Sequence, residues 1–141
     1  MSQFPFFVYS TLLPGQCNDH YWGGYILRSV PAVLSCAKLY EFPGYPMLIE
    51  SRDSASKVVG QIVWVDPDRY EAVLTKLDQL EEYDPADVKN SFYLRLAKNI
   101  NTGNGSSITT WVYVGKPNLI KGLPAIIDGD WARHMANNLN A

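Results

Sequence analysis

The segment from Asp66 to Tyr83 constrains the fold most, because it carries an extended helical pattern among segments that are mostly short and β-branched. Asp66 is a favoured N-cap residue, and Pro67 suits the first helical position, where a backbone N–H has no helical partner. Pro85 ends the pattern after Tyr83. The stripe that follows helical spacing consists of Tyr70, Val73, Leu74, Leu77 and Leu80. The sequence therefore predicts an amphipathic helix of about four turns.

Glu81 falls inside the apolar arc of this helix. At about 100° per residue it lies about 40° from Leu77, whereas Glu82 lies about 140° away on the polar side. An inward carboxylate loses hydration and, at the carboxyl end of a helix, meets the negative end of the helix dipole. Both effects raise its pKa, which suits proton transfer. The wheel selects Glu81 as a candidate general acid and base. The alternative is that the last turn frays or that Glu81 pairs with Arg95 or another basic residue.

The other segments predict a sheet flanked by shorter helices. A polar, turn-rich stretch over residues 101–107 separates two strand candidates and predicts a hairpin. Short helices are expected over residues 18–26, despite Gly23-Gly24, and from Trp131 to Leu139. The strand candidates are residues 4–9, 30–40, 47–49, 57–65, 92–100 and 108–114. Without regular βαβ alternation, this order indicates one α+β domain over residues 1–141, with a mixed sheet curled toward a barrel.

Charge and composition exclude several classes of protein. The formal net charge is −2 and Lys and Arg are scattered singly, so no basic face offers the contacts that nucleic acid requires. No apolar run approaches the roughly 18 residues of a membrane span, and no basic leader begins the chain. We therefore expect a cytoplasmic protein with no membrane partner. Cys17 and Cys36 are the only cysteines and lie far apart in sequence, which predicts free thiols and no metal.

The segment from Val8 to Gly15 leaves a predicted strand through a tight turn. Successive backbone N–H groups in such a turn can converge on an anion, which predicts a place for a carboxylate-bearing ligand. An ordinary strand-ending turn is the alternative.

Two segments resemble motifs of the γ-glutamylcyclotransferase-like family, including its γ-glutamylamine cyclotransferases. Tyr9-Ser10-Thr11-Leu12 resembles the family's Tyr-Gly-Ser/Thr-Leu loop, and residues 77–83 resemble its Leu-Asp-x-x-Glu-Gly-Tyr motif. Further matches, in the family's order, are Lys38-Leu39-Tyr40, Gly44-Tyr45-Pro46, Val59-Gly60, Phe92-Tyr93-Leu94-Arg95 and Trp111-Val112-Tyr113. The resemblance spans nearly the whole chain.

The resemblance implies a mixed β-barrel flanked by short helices, and an enzyme that releases 5-oxoproline from a small γ-glutamyl substrate without a cofactor. Carried over residue by residue, Tyr9, Ser10, Thr11 and Leu12 form the loop that holds the γ-glutamyl group, and Glu81 is catalytic. The family motif and the helical wheel thus select the same glutamate.

Two residues depart from the family pattern. Ser10 stands in place of the loop glycine, so its side chain is penalised if that position requires a positive φ. Glu82 stands in place of the glycine after the catalytic position. Its like charge raises the pKa of Glu81 further if the two carboxylates approach.

A γ-glutamyl compound carries its own nucleophile, since its α-amine can attack the γ-carbonyl and close a five-membered ring. The protein must supply a folded substrate conformation, a proton acceptor and donor, and dipoles for the developing oxyanion. We expect Glu81 to act as base and then acid, and backbone N–H groups of residues 9–12 to bind the α-carboxylate or polarise the carbonyl. The Tyr113 hydroxyl is a further candidate to orient either group.

Two other interpretations stay open. The same fold can serve as a non-catalytic module that binds a γ-glutamyl-like or amino-acid ligand, which a salt-bridged Glu81 away from residues 9–12 would favour. The many aromatic residues can instead form an interaction surface, marked by a large exposed Tyr/Trp patch. We expect the pocket that selects the leaving amine to lie near an ordered loop from Phe42 to Pro46. The protein is expected to be a monomer or a homodimer.

Overall fold

Eight strands and two α-helices form the regular structure that the computed structural model describes, in residues 3–13, 15–16, 18–42, 45–101, 106–126 and 128–139. The strands are β1 (Phe6–Val8), β2 (Ile26–Ser35), β3 (Ala37–Phe42), β4 (Tyr45–Glu50), β5 (Lys57–Val65), β6 (Tyr93–Asn101), β7 (Ser107–Gly115) and β8 (Ala125–Ile126). The helices are α1 (Tyr70–Leu80) and α2 (Trp131–Leu139). Short 3₁₀ turns lie at Asp19–Trp22, Pro67–Arg69, Val88–Asn90 and Pro117–Leu119. Within these ranges no helix is long and apolar enough to cross a membrane.

The strands form two sheets. The larger has the order β2-β5-β1-β7-β6, and its parallel pair is β1 with β7, where Phe6 lies opposite Trp111. The smaller has the order β4-β3-β8 and is antiparallel. The predicted α+β class with a mixed sheet is therefore confirmed. The larger sheet is open, with β2 and β6 as its edges among the described strands, so the predicted barrel is not confirmed.

The strand predicted over residues 30–40 is divided at Cys36. This residue takes a left-handed φ of +60°, so β2 ends at Ser35 in the larger sheet and β3 begins at Ala37 in the smaller one. The corner is held by the Cys36 N–H, which donates to the Ser56 carbonyl at 2.9 Å. The prediction of one continuous strand is therefore wrong. The sequence does not reveal the corner, because no glycine or proline marks it. The Cys36 thiol is exposed and free, whereas Cys17 lies outside the described residues.

The central strand β1 is buried on both faces, which explains its uninterrupted apolar sequence. Phe6 and Val8 pack in one cluster with the apolar stripe of α1. Phe7 and Tyr9 pack in a second cluster with residues of the smaller sheet, including Leu39. Burying each large apolar side chain stabilises the fold by about 1.5–3 kcal/mol. Strand β1 thus contributes side chains to both hydrophobic clusters, and the segment that leaves it is anchored from both faces.

Asp66 caps the helical segment as predicted, but α1 itself begins later and ends earlier than predicted. The Asp66 carboxylate accepts a hydrogen bond from the Asp68 N–H at 3.0 Å, and the 3₁₀ turn that follows leads into α1. Leu80 is the last helical residue, Glu81 is the C-cap, and Glu82 takes a left-handed φ of +52°. The predicted continuation to Tyr83 is wrong because a left-handed residue cannot continue a right-handed helix.

The remaining predicted elements are present with shifted ends. β6 and β7 form the predicted hairpin, while its tip, residues 102–105, lies outside the described residues. The terminal helix is confirmed as α2. The helix expected over residues 18–26 shrinks to a 3₁₀ turn, because Gly23 ends it with a φ of +64°. In the expected loop at 42–46, Phe42 pairs with Tyr45 across β3 and β4, and residues 43–44 lie outside the described residues.

Candidate active site

A cavity of about 270 Å³, a size suited to a small ligand, brings the predicted site residues together. Glu81, Tyr9, Ser10, Thr11, Leu12 and Tyr113 all line it. The other lining residues are Phe7, Val8, Asn18, Tyr45, Pro46, Leu80, Glu82, Phe92 and Tyr93. The fold thus joins the turn after α1 to the segment after β1, as the two motifs predict. The roles of these residues in binding and catalysis stay predictions.

The segment after β1 is fixed by side chains from its surroundings. The Tyr9 hydroxyl donates to the Tyr113 carbonyl at 2.7 Å. Asn18 contacts Thr11 twice, through its Nδ2 to Oγ1 at 3.0 Å and its backbone N–H to the carbonyl at 2.8 Å. The Trp22 indole N–H donates to the Leu12 carbonyl at 2.8 Å. The carbonyls of Thr11 and Leu12 are thus occupied, and the four bonds together hold the segment in one conformation.

Two backbone donors of this segment are left available. The N–H groups of Ser10 and Leu12 donate to no residue in the described part of the chain, whereas the Thr11 N–H is bonded to the Ser10 hydroxyl. Unpaired N–H groups at a cavity wall are suited to bind an anion or a developing oxyanion. Ser10 does not take a positive φ, so the conformational penalty anticipated there does not arise. The left-handed conformation occurs instead at Glu82.

Glu81 is a half-buried carboxylate at the carboxyl end of α1. Its backbone N–H donates to the Leu77 carbonyl at 3.0 Å, which places the side chain at the end of the buried stripe of α1. Within the described ranges no residue forms an ion pair or hydrogen bond with this carboxylate. Burial, and then the charge of Glu82, raises the pKa of Glu81 from its usual 4.5 to about 7. The alternative in which Glu81 pairs with Arg95 is wrong.

Arg95 pairs instead with Asp78, a residue that the sequence analysis did not select for the site. Its Nε lies 2.9 Å from Asp78 Oδ1, and its guanidinium lies over the Trp111 ring at 4.4 Å from the centroid. The Tyr113 hydroxyl also donates to Asp78 Oδ1, at 2.7 Å. The Tyr113 hydrogen is thus engaged, and only the oxygen lone pairs of this hydroxyl can orient a substrate. The available signal for Asp78 was its place in the Leu-Asp-x-x-Glu motif.

The tyrosines around the cavity remain neutral hydroxyl groups. Burial, and then the charge of Glu81, raises the pKa of Tyr9 well above its usual value. Burial is also the largest cause of the raised pKa of Tyr93, whose hydroxyl donates to the Pro46 carbonyl at 3.1 Å. Sequence reasoning did not select Tyr93 for the site. The sequence analysis did predict that the loop over residues 42–46 lies near the pocket for the leaving amine. Two residues of that loop, Tyr45 and Pro46, line the cavity.

The charge of the cavity wall is negative. Glu81 and Glu82 line it, and no Lys, Arg or His does so within the described ranges. The same ranges hold no group of three His, Cys, Asp or Glu residues able to bind a metal ion. His134 lies elsewhere, with its Nε2 3.1 Å from Glu41 Oε1.

An interaction surface made of aromatic residues receives no support from the described ranges. The large hydrophobic residues exposed there are Tyr25, Leu27, Val33 and Val88, of which one is aromatic. They do not form the Tyr/Trp patch that this interpretation requires.

Comparisons with known proteins agree with the motifs. The sequence model of a family described as "Gamma-glutamyl cyclotransferase, AIG2-like" matches residues 6–133. YkqA from Bacillus subtilis is similar over 98% of this chain, with a TM-score of 0.71 and 18% identity, but this chain spans only 43% of YkqA. An AIG2-like protein from Mus musculus has a TM-score of 0.60 and 22% identity, over 86% of this chain and 84% of its own.

A third structure, named gamma-glutamyl cyclotransferase, has a TM-score of 0.57 and 18% identity, over 86% of this chain and 69% of its own. At these identities the structures show a shared fold. A search of curated proteins finds no match.

The raised pKa of Glu81 makes stability depend on pH. Folded Glu81 holds its proton up to about pH 7, whereas the unfolded residue loses it near 4.5, so the free energy of unfolding falls as pH rises between these values. Glu81→Gln lacks this dependence. The free energy of unfolding is measured by urea denaturation at about pH 4.5 and pH 8. Between these two pH values it is expected to fall by up to about 3 kcal/mol more in wild type than in Glu81→Gln. Glu71→Gln removes an exposed carboxylate and serves as the control, so its free energy of unfolding should change with pH as in wild type. If wild type and Glu81→Gln showed the same pH dependence, the raised pKa of Glu81 would be contradicted.

The Asp78–Arg95 pair is expected to stabilise the site region. Both side chains are about one-eighth exposed, so Asp78→Asn leaves a poorly hydrated guanidinium without its counter-charge. We expect a loss of about 3–5 kcal/mol in the free energy of unfolding, measured by chemical denaturation. Asp128→Asn is the matched control, because Asp128 pairs with Arg133 at 3.9 Å on the surface and should lose less than about 0.5 kcal/mol. Equal losses for the two variants would refute the role of the Asp78 pair.

Proposed function

The chain belongs to the γ-glutamyl cyclotransferase, AIG2-like family, and from this membership we propose that it converts a γ-glutamyl amine or γ-glutamyl amino acid to 5-oxoproline and the free amine. The observation that carries the proposal is the position of Glu81. It is a half-buried carboxylate that no described residue pairs with, and it lines the same cavity as Ser10 and Leu12, whose N–H groups donate to none of the described residues.

The proposed reaction is an intramolecular transfer. The α-amine of the γ-glutamyl group attacks the γ-carbonyl carbon, a new C–N bond closes the five-membered ring, and the bond to the departing amine breaks. One proton leaves the α-ammonium group and one proton is delivered to the departing amine, so the products are 5-oxoproline and a protonated amine. The substrate supplies the nucleophile, and the protein supplies position, proton transfer and dipoles.

Glu81 is proposed to carry the proton between the two nitrogens. A carboxyl group with a pKa of about 7 is partly ionised near neutral pH, so it can accept a proton and return it without a large energetic cost. A carboxylate locked in a salt bridge would accept a proton less readily. The absence of such a partner among the described residues therefore favours catalysis over the non-catalytic module.

The segment from Tyr9 to Leu12 is proposed to hold the γ-glutamyl group. The N–H groups of Ser10 and Leu12 are suited to the α-carboxylate or to the carbonyl oxygen as it gains negative charge. Because the carbonyls of Thr11 and Leu12 are already bonded to Asn18 and Trp22, the segment is ordered before substrate arrives. Such preorganisation lowers the entropy that must be lost in the transition state.

The test is the release of 5-oxoproline from a panel of γ-glutamyl amino acids and γ-glutamyl amines. We expect turnover of at least one substrate by wild type and a loss of about 10²–10⁴-fold in Glu81→Gln, the range for a general acid–base group. Glu71→Gln, which removes an exposed carboxylate of α1 away from the cavity, should retain wild-type rates.

Folding of each variant is checked by circular dichroism and thermal denaturation. Full activity in a folded Glu81→Gln variant would overturn the assignment of Glu81. Binding of γ-glutamyl compounds without any 5-oxoproline would instead support the non-catalytic module.

A further inference from the structure

Three tyrosine hydroxyl groups at the cavity wall direct their hydrogens to acceptors other than Glu81. Tyr9 and Tyr93 donate to backbone carbonyls, at 2.7 and 3.1 Å. Tyr113 donates to Asp78 Oδ1 at 2.7 Å. A hydroxyl group has one hydrogen, so each of these groups offers the cavity only the lone pairs of its oxygen. The carboxylate of Glu81 therefore receives no hydrogen bond from the three tyrosines.

The Tyr113 hydroxyl differs from the other two because a side chain, and not the backbone, fixes its direction. A hydrogen bond to a carboxylate is roughly twice as strong as one between neutral groups. Arg95 holds the Asp78 carboxylate through both oxygens, from Nε to Oδ1 at 2.9 Å and from Nη2 to Oδ2 at 3.4 Å. The direction of the Tyr113 hydroxyl thus depends on one side chain, and a single substitution at Asp78 would release its hydrogen.

A released Tyr113 hydrogen would have Glu81 as an available acceptor. Both residues line the cavity, and no residue in the described ranges donates to the Glu81 carboxylate. After burial and the nearby Asp78, the charge of Glu81 also raises the pKa of Tyr113, so the hydroxyl lies in the field of this carboxylate. A hydrogen bond donated to a carboxylate favours its charged form and makes it a weaker base. Turning the hydroxyl from Asp78 to Glu81 would therefore impair proton transfer.

We propose that Asp78 is a positioning residue for the reaction: it holds the hydrogen of the Tyr113 hydroxyl out of the cavity, so that the Glu81 carboxylate is free to accept a proton from the substrate. The inference rests on the proposed function and alters none of its steps. The proton still passes from the α-ammonium group to Glu81 and then to the departing amine. Asp78 does not line the cavity and acts through Tyr113. This task is separate from its pairing with Arg95, which stabilises the fold.

The experiment compares wild type, Tyr113→Phe, Asp78→Asn and the variant that carries both substitutions. The quantity measured is the pH at which Glu81 takes up its proton. It is read from the fall of kcat/KM for 5-oxoproline release at low pH, and from the chemical shift of the Glu81 carboxyl carbon in NMR titrations. The other titratable groups that line the cavity are the same in all four proteins; they are Glu82, Tyr9, Tyr45 and Tyr93.

The proposal predicts different effects of Tyr113→Phe in the two backgrounds. With Asp78 present, the substitution should leave this pH value unchanged, whatever its effect on the rate, because the hydroxyl hydrogen is not directed at Glu81. With Asn at this position, the value should lie about one pH unit lower when Tyr113 is present than when Phe replaces it. Both proteins of the second comparison lack the Asp78 charge, so their difference reports the hydroxyl group alone.

The same effect of Tyr113→Phe in both backgrounds would overturn the proposal, because an Asp78 that only stabilises the fold predicts that result. Asp128→Asn is the control. It removes the carboxylate of a surface ion pair and should leave the pH value as in wild type.

Two further arms keep the test decisive. If Asp78→Asn does not fold because Arg95 is left unpaired, Asp78→Asn/Arg95→Gln removes both charges together and is compared with and without Tyr113→Phe. The same difference of about one pH unit is expected there, and equal values would refute the role of Asp78. If no γ-glutamyl compound yields 5-oxoproline, the proposed function fails. The NMR titrations then decide by themselves whether Asp78 keeps the Tyr113 hydrogen from Glu81.

Discussion

The carboxylate of Asp78 joins the helix that ends at the site to the strands beneath it. Its side chain accepts hydrogen bonds from Arg95 on β6 and Tyr113 on β7, and its backbone carbonyl accepts from the Tyr83 N–H at 2.9 Å. These contacts close the turn in which Glu81 and Glu82 lie. The Tyr113 carbonyl then accepts the Tyr9 hydroxyl, so the same chain of bonds reaches the segment after β1. The geometry of the cavity depends on this network because it connects three elements that are distant in sequence.

Asp78 and Glu81 are carboxylates three residues apart with opposite surroundings. Asp78 has a guanidinium and a hydroxyl group as partners, and both hold its carboxylate in place. Glu81 has no such partner among the described residues, and burial together with the Glu82 charge favours its protonated form. Differences of this kind let one fold use one carboxylate for structure and another for proton transfer. The proposed function follows from that division.

Local chemistry predicted the parts of the fold and site that depend on neighbouring residues. The cap at Asp66 follows from its residue type, although it begins the 3₁₀ turn that leads into α1. The inward position of Glu81 follows from the helical wheel, even though Glu81 lies one residue past the helix. The partners of Asp78 could not be predicted, because they come from β6 and β7 and are fixed by tertiary packing. The corner at Cys36 and the turn at Glu82 were also missed, since both use a left-handed conformation without glycine. The open sheet was missed because the pairing of edge strands is a long-range property.

The central claim is that catalysis uses the unprotonated Glu81 carboxylate, whose pKa is raised by this cavity. The most direct measurement is the pH dependence of kcat/KM for 5-oxoproline release, in wild type and in Glu82→Gln. The account predicts that wild-type kcat/KM falls as pH drops through about 7, and that this fall moves to lower pH in Glu82→Gln because one cause of the raised pKa is removed. A fall near pH 4.5 in both proteins, or one at pH 7 that Glu82→Gln leaves in place, would contradict it.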